Sequence, residues 1–437
     1  MKVLPLGLDV EGRPRRTVRV RGWEVVRNRL RAVRGRTLRS LAVRNYRIFL
    51  TGHGVSVIGT WMQRVAQDWL VLELTDSAFA VGVATGLQFL PMLLFGLWGG
   101  LLVDRFDRRR IIMLTQTVSS LLAAALATLV LTGVVRLEMV YVLAFALGLV
   151  TVVDSPARHT FATEMVDPAD YVNAHALSST VHNTGRLVGP AVAGLLIAWV
   201  GPGIAFAINS ASFLAVLVGL ALMDPAALRK SPAVARAPGR IREGLRYVWH
   251  HPELRACMIL VAVVALFGQN FRVVLPLLAR DDLGGGPATY GWLTSALGLG
   301  AVLGALVTAA REHVTAWSLL MATFAFGLVN LLAAGSPGLT VALIFLAFVG
   351  AAHITFNTLA RTLLQLGTDA QMRGRVAALH GLVFMGSQPV GGPLLGWLCE
   401  MWGARAGLVI AGVTALIAGL ALISRLRHLR KAPPDVV

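Results

Sequence analysis

Gly100-Leu-Leu-Val-Asp104-Arg105-Phe-Asp107-Arg108-Arg109-Arg110 separates two long apolar runs. The run before it, residues 80–103, stops abruptly, and the next begins at once with Ile111. A connection this short and this basic does not suit a loop in a water-soluble core. It predicts a hairpin tip between two membrane-spanning helices, held on the cytoplasmic side by its arginines.

The rest of the chain repeats that pattern. Of its 437 residues, 56% are hydrophobic and only 14% charged. That is too apolar for an ordinary soluble domain. Apolar runs cover residues 48–73, 80–103, 111–132, 139–160, 173–199 and 203–223. After a polar break from Asp224 to Glu253, six more cover 255–279, 289–310, 316–334, 339–362, 377–400 and 406–424. Each is long enough to cross a hydrocarbon core about 30 Å thick. The expected fold is therefore all-α and polytopic, with twelve transmembrane helices in two six-helix halves. The alternating ten-residue strands of a membrane barrel are absent.

The formal net charge of +18 would suggest nucleic acid as the partner of a soluble protein. Here the basic residues sit between apolar runs, so the partner is the anionic face of a bilayer. Alternate connections hold few of them: Arg136, Arg280 and Arg405. The opposite set holds Arg105, Arg108–Arg110, Arg229, Lys230, Arg236, Arg240, Arg242 and Arg246, together with Arg311, Arg373, Arg375, Arg425, Arg427, Arg430 and Lys431. This asymmetry predicts a multi-pass protein of the plasma or inner membrane with both termini cytoplasmic. The expected segments are a basic tail (1–40), a first half (41–223), a linker (224–254), a second half (255–424) and a C-terminal tail (425–437). Residues 1–40 lack a continuous apolar region, so no cleavable signal is expected. Trp23, Val25, Val26 and Leu30 among arginines allow a surface helix there; the plainer expectation is a disordered tail. In the linker, Ile241, Leu245, Val248 and Trp249 recur at helical spacing and predict an amphipathic helix on the inner leaflet.

The two halves are related. Pro190 in Gly189-Pro190-Ala-Val-Ala-Gly194 and Pro393 in Gly391-Gly392-Pro393-Leu-Leu-Gly396 lie 203 residues apart. The same offset pairs Arg158 with Arg361 and Asp154 with Asn357, and nearly the same pairs Gly100 with Gly304. Duplicated halves with a site between them near the midplane are the architecture of secondary transporters.

The loop pattern Gly100-x3-Asp104-Arg105-x-x-Arg108-Arg109 resembles the signature loop of the major facilitator superfamily. The resemblance extends from about residue 41 onward. Gly59-Thr60-Trp61-Met62-Gln63, Gln88-Phe89-Leu90-Pro91, Asp154-Ser-Pro156-Ala-Arg158 and Arg186-Leu-Val-Gly189-Pro190 are most similar to its bacterial drug-efflux and enterobactin-exporter-like branch. The resemblance implies that Gly100, Asp104, Arg105, Arg108 and Arg109 latch one conformational state; a topology anchor alone is the plainer alternative. Asp107 stands where the family often has Gly, and Thr308 replaces the acid in the second copy. Gly185-x3-Gly189-Pro190-x2-Ala193-Gly194 resembles the family's antiporter signature, with Ala193 where Gly is common.

Charged and polar groups inside the apolar runs mark the candidate site, because such groups face a cavity or a partner. Arg64 and Asp68 are four apart and share a helix face, able to pair; they form either a proton-responsive cavity pair or a static one near the outer interface. Asp154 and Arg158, four apart around Pro156, form either a structural gate or a second proton-coupling pair. The substrate-cavity candidates are Gln63, Gln67, Gln88, Asn183 and Arg186 in the first half, and Gln269, Asn270, Arg272, Asn357 and Arg361 in the second. Asn330, His182, His353, His380 and Gln388 add polar groups. Trp61, Phe89, Trp98, Phe267 and Phe384 could line the path of an amphipathic molecule.

The expected function is secondary export of a small amphipathic molecule (a drug, siderophore or secondary metabolite) by alternating access, with the proton as the coupling ion. An importer or uniporter on the same fold, or a non-transporting receptor or scaffold, is the alternative. The chain is expected to act as a monomer, without metal or cofactor, and not as an enzyme. It has no Gly-x4-Gly-Lys-Ser/Thr phosphate loop and no His-Glu-x-x-His. Cys257 and Cys399 lie in apolar runs and read as packing residues.

Overall fold

The computed structural model describes residues 39–229, 240–311 and 313–431. The expectations for nearly all of the basic tail, for residues 230–239 of the linker and for the last six residues of the C-terminal tail fall outside them. No strand occurs among the described residues. The first half comprises α1 (Arg44–Thr75), α2 (Ala78–Arg105), α3 (Arg108–Leu131), α4 (Leu137–Glu164), α5 (Tyr171–Val200) and α6 (Pro202–Ala221). A short α7 (Arg240–His250) leads into α8 (Pro252–Gly268), α9 (Phe271–Leu277), α10 (Pro287–Ala309), α11 (Ala316–Ala334) and α12 (Leu339–Leu366). The chain ends with α13 (Arg373–Gly386), α14 (Gln388–Trp402) and α15 (Ala404–Lys431).

Nine segments among the described residues are long and apolar enough to cross a membrane, one of them Pro252–Asp282, which runs through α8 and α9. The twelve expected runs exceed that number because α1, α5 and the α13–α14 region fall short. The first two do not fail on length, at 32 and 30 residues. They fail on polarity: α1 carries Gln63, Arg64, Gln67 and Asp68, and α5 carries His182, Asn183 and Arg186. Helices that face protein rather than lipid can keep such groups.

Two of the expected runs are broken. Run 255–279 splits at Gln269–Asn270 into α8 and α9, and run 377–400 splits at Ser387 into α13 and α14. Unwound backbone inside a bilayer needs internal partners. Each break supplies the other: Gln269 Nε2 donates to the Phe384 carbonyl (2.7 Å) and to Ser387 Oγ (3.3 Å), and Gln388 Nε2 donates to the Gln269 carbonyl (3.4 Å).

Packing follows the repeat. Within the first half, α2 packs on α4, α3 on α6, and α1 on α5 and α6. Within the second, α10 packs on α12 and α11 on α15. The halves meet mainly through α2 against α14 and α5 against α10, a reciprocal exchange between equivalent helices. Glycine makes both contacts close. A Cβ on Gly82 would run into the Gly392 backbone, and one on Gly194 into Pro287 and Gly291. Such small-residue seams let helix backbones approach without a side chain between them. The equivalent helices α5 and α14 even end alike, at Gly201 (φ 79°) and Gly403 (φ 84°), where a left-handed turn favours glycine.

Helix α7 docks one face on the second half. Glu243 pairs with Arg375, Tyr247 Oη donates to Asp369 (2.9 Å), and Val248 is buried. Its other face exposes Leu245 and Trp249 beside Arg242 and Arg246.

Candidate functional site

The signature loop is organised by local capping. Asp107 accepts from the Arg110 backbone amide (2.9 Å) and so N-caps α3. The residue that departs from the family pattern therefore starts a helix. Arg108 pairs with Glu164 at the end of α4. Arg109 donates twice to the Leu220 carbonyl at the end of α6 (2.6 and 3.0 Å), where a cation complements the helix dipole. Arg105 is exposed and Asp104 half-buried. These partners of Arg108 and Arg109 both belong to the first half. The tightest helix approach near Gly100 is made by Gly99, against Val152 of α4; Gly304 makes the matching approach to Ala351 of α12.

The Asp154–Arg158 pair forms, with Arg158 Nε at 2.6 Å from Asp154 Oδ2. It is embedded in a network that sequence spacing does not reveal. Thr115 Oγ1 (2.6 Å) and Gln116 Nε2 (2.9 Å) of α3 donate to Asp154 Oδ1, and Arg158 lies 2.6 Å from His53 Nδ1 of α1. The network ties α1, α3 and α4 of one half together.

Asp68 has a different partner from the one expected. It does not pair with Arg64 one turn away. Arg272 of α9, in the other half, grips it with two N–H groups, Nη2 to Oδ1 (2.7 Å) and Nε to Oδ2 (2.9 Å). Tyr290 Oη of α10 donates to Oδ2 as well (2.9 Å), and Arg272 Nη1 donates to Gln88 Oε1 of α2 (2.7 Å). Asp68 is 0% exposed and Arg272 17%. A planar guanidinium fork satisfies both carboxylate oxygens at once, which an i, i+4 neighbour on the same helix cannot match as well. Tyr290 was missed because one hydroxyl in an apolar run gives little signal. Its only mark is a polar tip that a bilayer would require to be satisfied.

The remaining candidates divide. Gln63 accepts from Asn209 of α6, and Gln269 serves the helix breaks, so both act in packing. Asn270 donates to the Leu266 carbonyl (2.6 Å), leaving its Oδ1 without a partner. Gln67 Nε2 and Asn357 Oδ1 are likewise buried and without a partner among the described residues. Arg361 is exposed, and Asn183 is half-buried. Arg64 and Arg186 gather at Trp61, with guanidinium carbons 4.6 and 5.9 Å from its ring centroid. His182 meets the same ring edge-on at 5.9 Å. Of the antiporter-like glycines, Gly185 and Gly189 seat α5 on α1 at Val57, Ile58 and Trp61, and Gly194 seats it on α10. Pro190, lacking an N–H, frees the Arg186 carbonyl, and Gly298 lies against that carbonyl. His353 sits among Phe271, Phe326 and Phe384.

Two bundles joined by glycine seams, with charged groups meeting between them inside the apolar region, define a membrane transporter of the major facilitator superfamily. The model of the family of transmembrane secretion effectors matches residues 36–434, and the chain belongs to that family. The multidrug efflux pump Tap of Mycolicibacterium fortuitum is 29% identical over 391 residues, covering 86% of this chain and 93% of its own. The enterobactin exporter EntS of Escherichia coli O9:H4 (strain HS) is 26% identical over 399 residues, covering 90% and 94%. Among solved structures, a bacterial homolog of the human lysosomal transporter Spinster, in an inward-facing and occupied conformation, superposes with a TM-score of 0.70. At 15% identity over 89% of this chain and 98% of that one, it shares the fold.

Proposed function

We propose that the protein exports a small amphipathic molecule by alternating access in exchange for protons, with Asp68 as the proton carrier. The similarity to a multidrug efflux pump and an enterobactin exporter supports the export direction. The single observation that carries the coupling is the Asp68–Arg272 pair. It joins the halves, and its charge-assisted strength depends on Asp68 being ionised. Arg272, Tyr290 and Arg64 are the charged and titratable groups that bear on it.

The pair supplies the rule that obligatory exchange needs. An empty carrier with ionised Asp68 is held in one state by the bridge. A proton on Asp68 removes the charge that Arg272 grips, and a bound substrate that draws Arg272 away has the same effect. Only a loaded carrier then leaves that state, which links the movement of substrate to that of the proton. Asp76–Arg280 (2.6 Å) and Ser77–Glu400 also bridge the halves, at the end where α1 meets α2. At the opposite end the ion pairs Arg39–Asp170, Arg108–Glu164, Arg229–Asp167 and Glu243–Arg375 each stay within one half or its linker. With both termini cytoplasmic, as the arginine distribution supports, this arrangement is closed outside and opens inward. The signature loop would engage the second half when that inner end closes.

The test is a panel of amphiphilic dyes in proteoliposomes of purified protein under an imposed pH gradient. Wild type accumulates a transported dye against its gradient. Asp68→Asn loses accumulation but keeps downhill movement, because the lock and the proton site disappear together. Accumulation indifferent to the pH gradient and unchanged in Asp68→Asn would overturn the coupling.

A further inference from the structure

The charges around Trp61 do not balance. Arg64 lies within electrostatic range of Arg186, of Arg272 and of Asp68, the one carboxylate that bears on it. Both oxygens of that carboxylate are already taken by Arg272 and Tyr290. Neither Arg64 nor Arg186 makes a hydrogen bond or ion pair among the described residues, and Arg64 Nε is buried without an acceptor. One turn along the same face of α1, Gln67 is 1% exposed and its Nε2 donor is unpartnered too. The unfilled groups here are donors and cations. What they lack is an acceptor carrying negative charge.

The aromatic partner is equally specific. The Trp61 ring is approached by Arg64 at 4.6 Å, Arg186 at 5.9 Å and His182 at 5.9 Å. The His182 side chain is not enclosed by protein, so the cluster lies at an open edge of the α1–α5 contact. A cation over an aromatic face is a weak substitute for an anion, because the ring offers only its quadrupole. A ligand with a carboxylate or similar anion would replace that contact with charge-assisted hydrogen bonds, and a ring on the ligand would stack on the Trp61 face the arginine leaves.

We infer that the Trp61 cluster is a binding site for organic anions bearing an aromatic ring, with Arg64 and Arg186 holding the anion and Trp61 the ring. This assigns a substrate class to the transport reading above and rests on it. It also gives that reading a trigger, since an anion entering beside Arg272 competes with Asp68 for it.

The experiment compares three probes of one shape with purified protein in nanodiscs: 2-naphthoate, 2-naphthamide and 2-naphthylmethylammonium. Binding is read by tryptophan fluorescence and by thermal shift at up to millimolar concentration. Wild type binds 2-naphthoate at least about tenfold more tightly than the other two, a difference of about 1.4 kcal/mol. Arg64→Gln and Arg186→Gln each remove that preference while leaving binding of 2-naphthamide unchanged, and Trp61→Leu weakens all three probes. Equal binding of the three, tighter binding of the ammonium, binding of none, or a preference that survives both arginine substitutions overturns the inference. The two readings fail separately. Anion-selective binding without movement in proteoliposomes sinks transport and leaves the site, whereas transport of cationic dyes without anion preference sinks the site and leaves transport.

Discussion

Asp68 shows how far spacing reaches at the scale of a residue. Arg64 is its visible neighbour, because helix geometry puts residues four apart on one face. The bond goes instead to Arg272, 204 positions away, whose fork meets both carboxylate oxygens. A buried ion pair adds little net stability when intact, yet removing one partner strands a charge at a cost of about 3–5 kcal/mol. Arg272→Gln should therefore lower the thermal unfolding temperature of the purified protein sharply. The double variant Asp68→Asn/Arg272→Gln should recover most of that loss, since both charges leave together. A double variant no more stable than Arg272→Gln would mean that Asp68 and Arg272 are not energetically coupled.

At the scale of the element, the seams between halves depend on glycine. A Cβ on Gly82 would collide with the Gly392 backbone, which cannot rotate away as a side chain would. Overpacking of this kind costs about 1–3 kcal/mol, and it falls only on the state in which α2 and α14 touch. Gly82→Val should insert normally but reduce transport by about tenfold or more. Gly381→Ala is the control, because a Cβ there meets no neighbouring atom; transport by that variant should be unchanged. Comparing the rates in proteoliposomes at equal reconstituted protein checks both. Gly194 and Gly392 were legible as parts of a repeated Gly-Pro pattern, whereas Gly82 and Gly291, on the facing helices, were not. The pairing of the two sets was not legible either, because a helix wheel says which face is small and not which helix will lie on it. The breaks at Gln269–Asn270 and Ser387 were also hidden, since each sits inside a run that remains apolar on average.

At the scale of the whole molecule, the closed end is held by groups that are weak one at a time. The Asp76 side chain is 84% exposed, and a surface pair of this kind contributes about 0–1 kcal/mol. Weak, solvated contacts suit an end that must part in each cycle. Linking Ser77→Cys to Glu400→Cys with a short reducible cross-linker should stop transport while leaving binding from the open end intact, and reduction should restore it. Unimpaired transport by the cross-linked protein would show that the halves do not separate at that end. The distribution of arginines, the apolar runs and the repeated offset near 203 all describe the molecule at this scale without coordinates.

The sequence by itself determined that this is a helical membrane transporter built as two related halves, and which polar residues sit where lipid would not tolerate them. It could do so because a bilayer imposes a one-dimensional rule: every run of about 20 residues must be apolar unless something shields it. Only the tertiary structure decided who shields whom. Asp68 with Arg272, Asp154 with Thr115 and Gln116, and Arg64 with the Trp61 ring are outcomes of how the helices lie. Partners on different helices, and above all on different halves, depend on the angle at which two rigid bundles meet. That angle is a property of the packed whole, not of any stretch of chain.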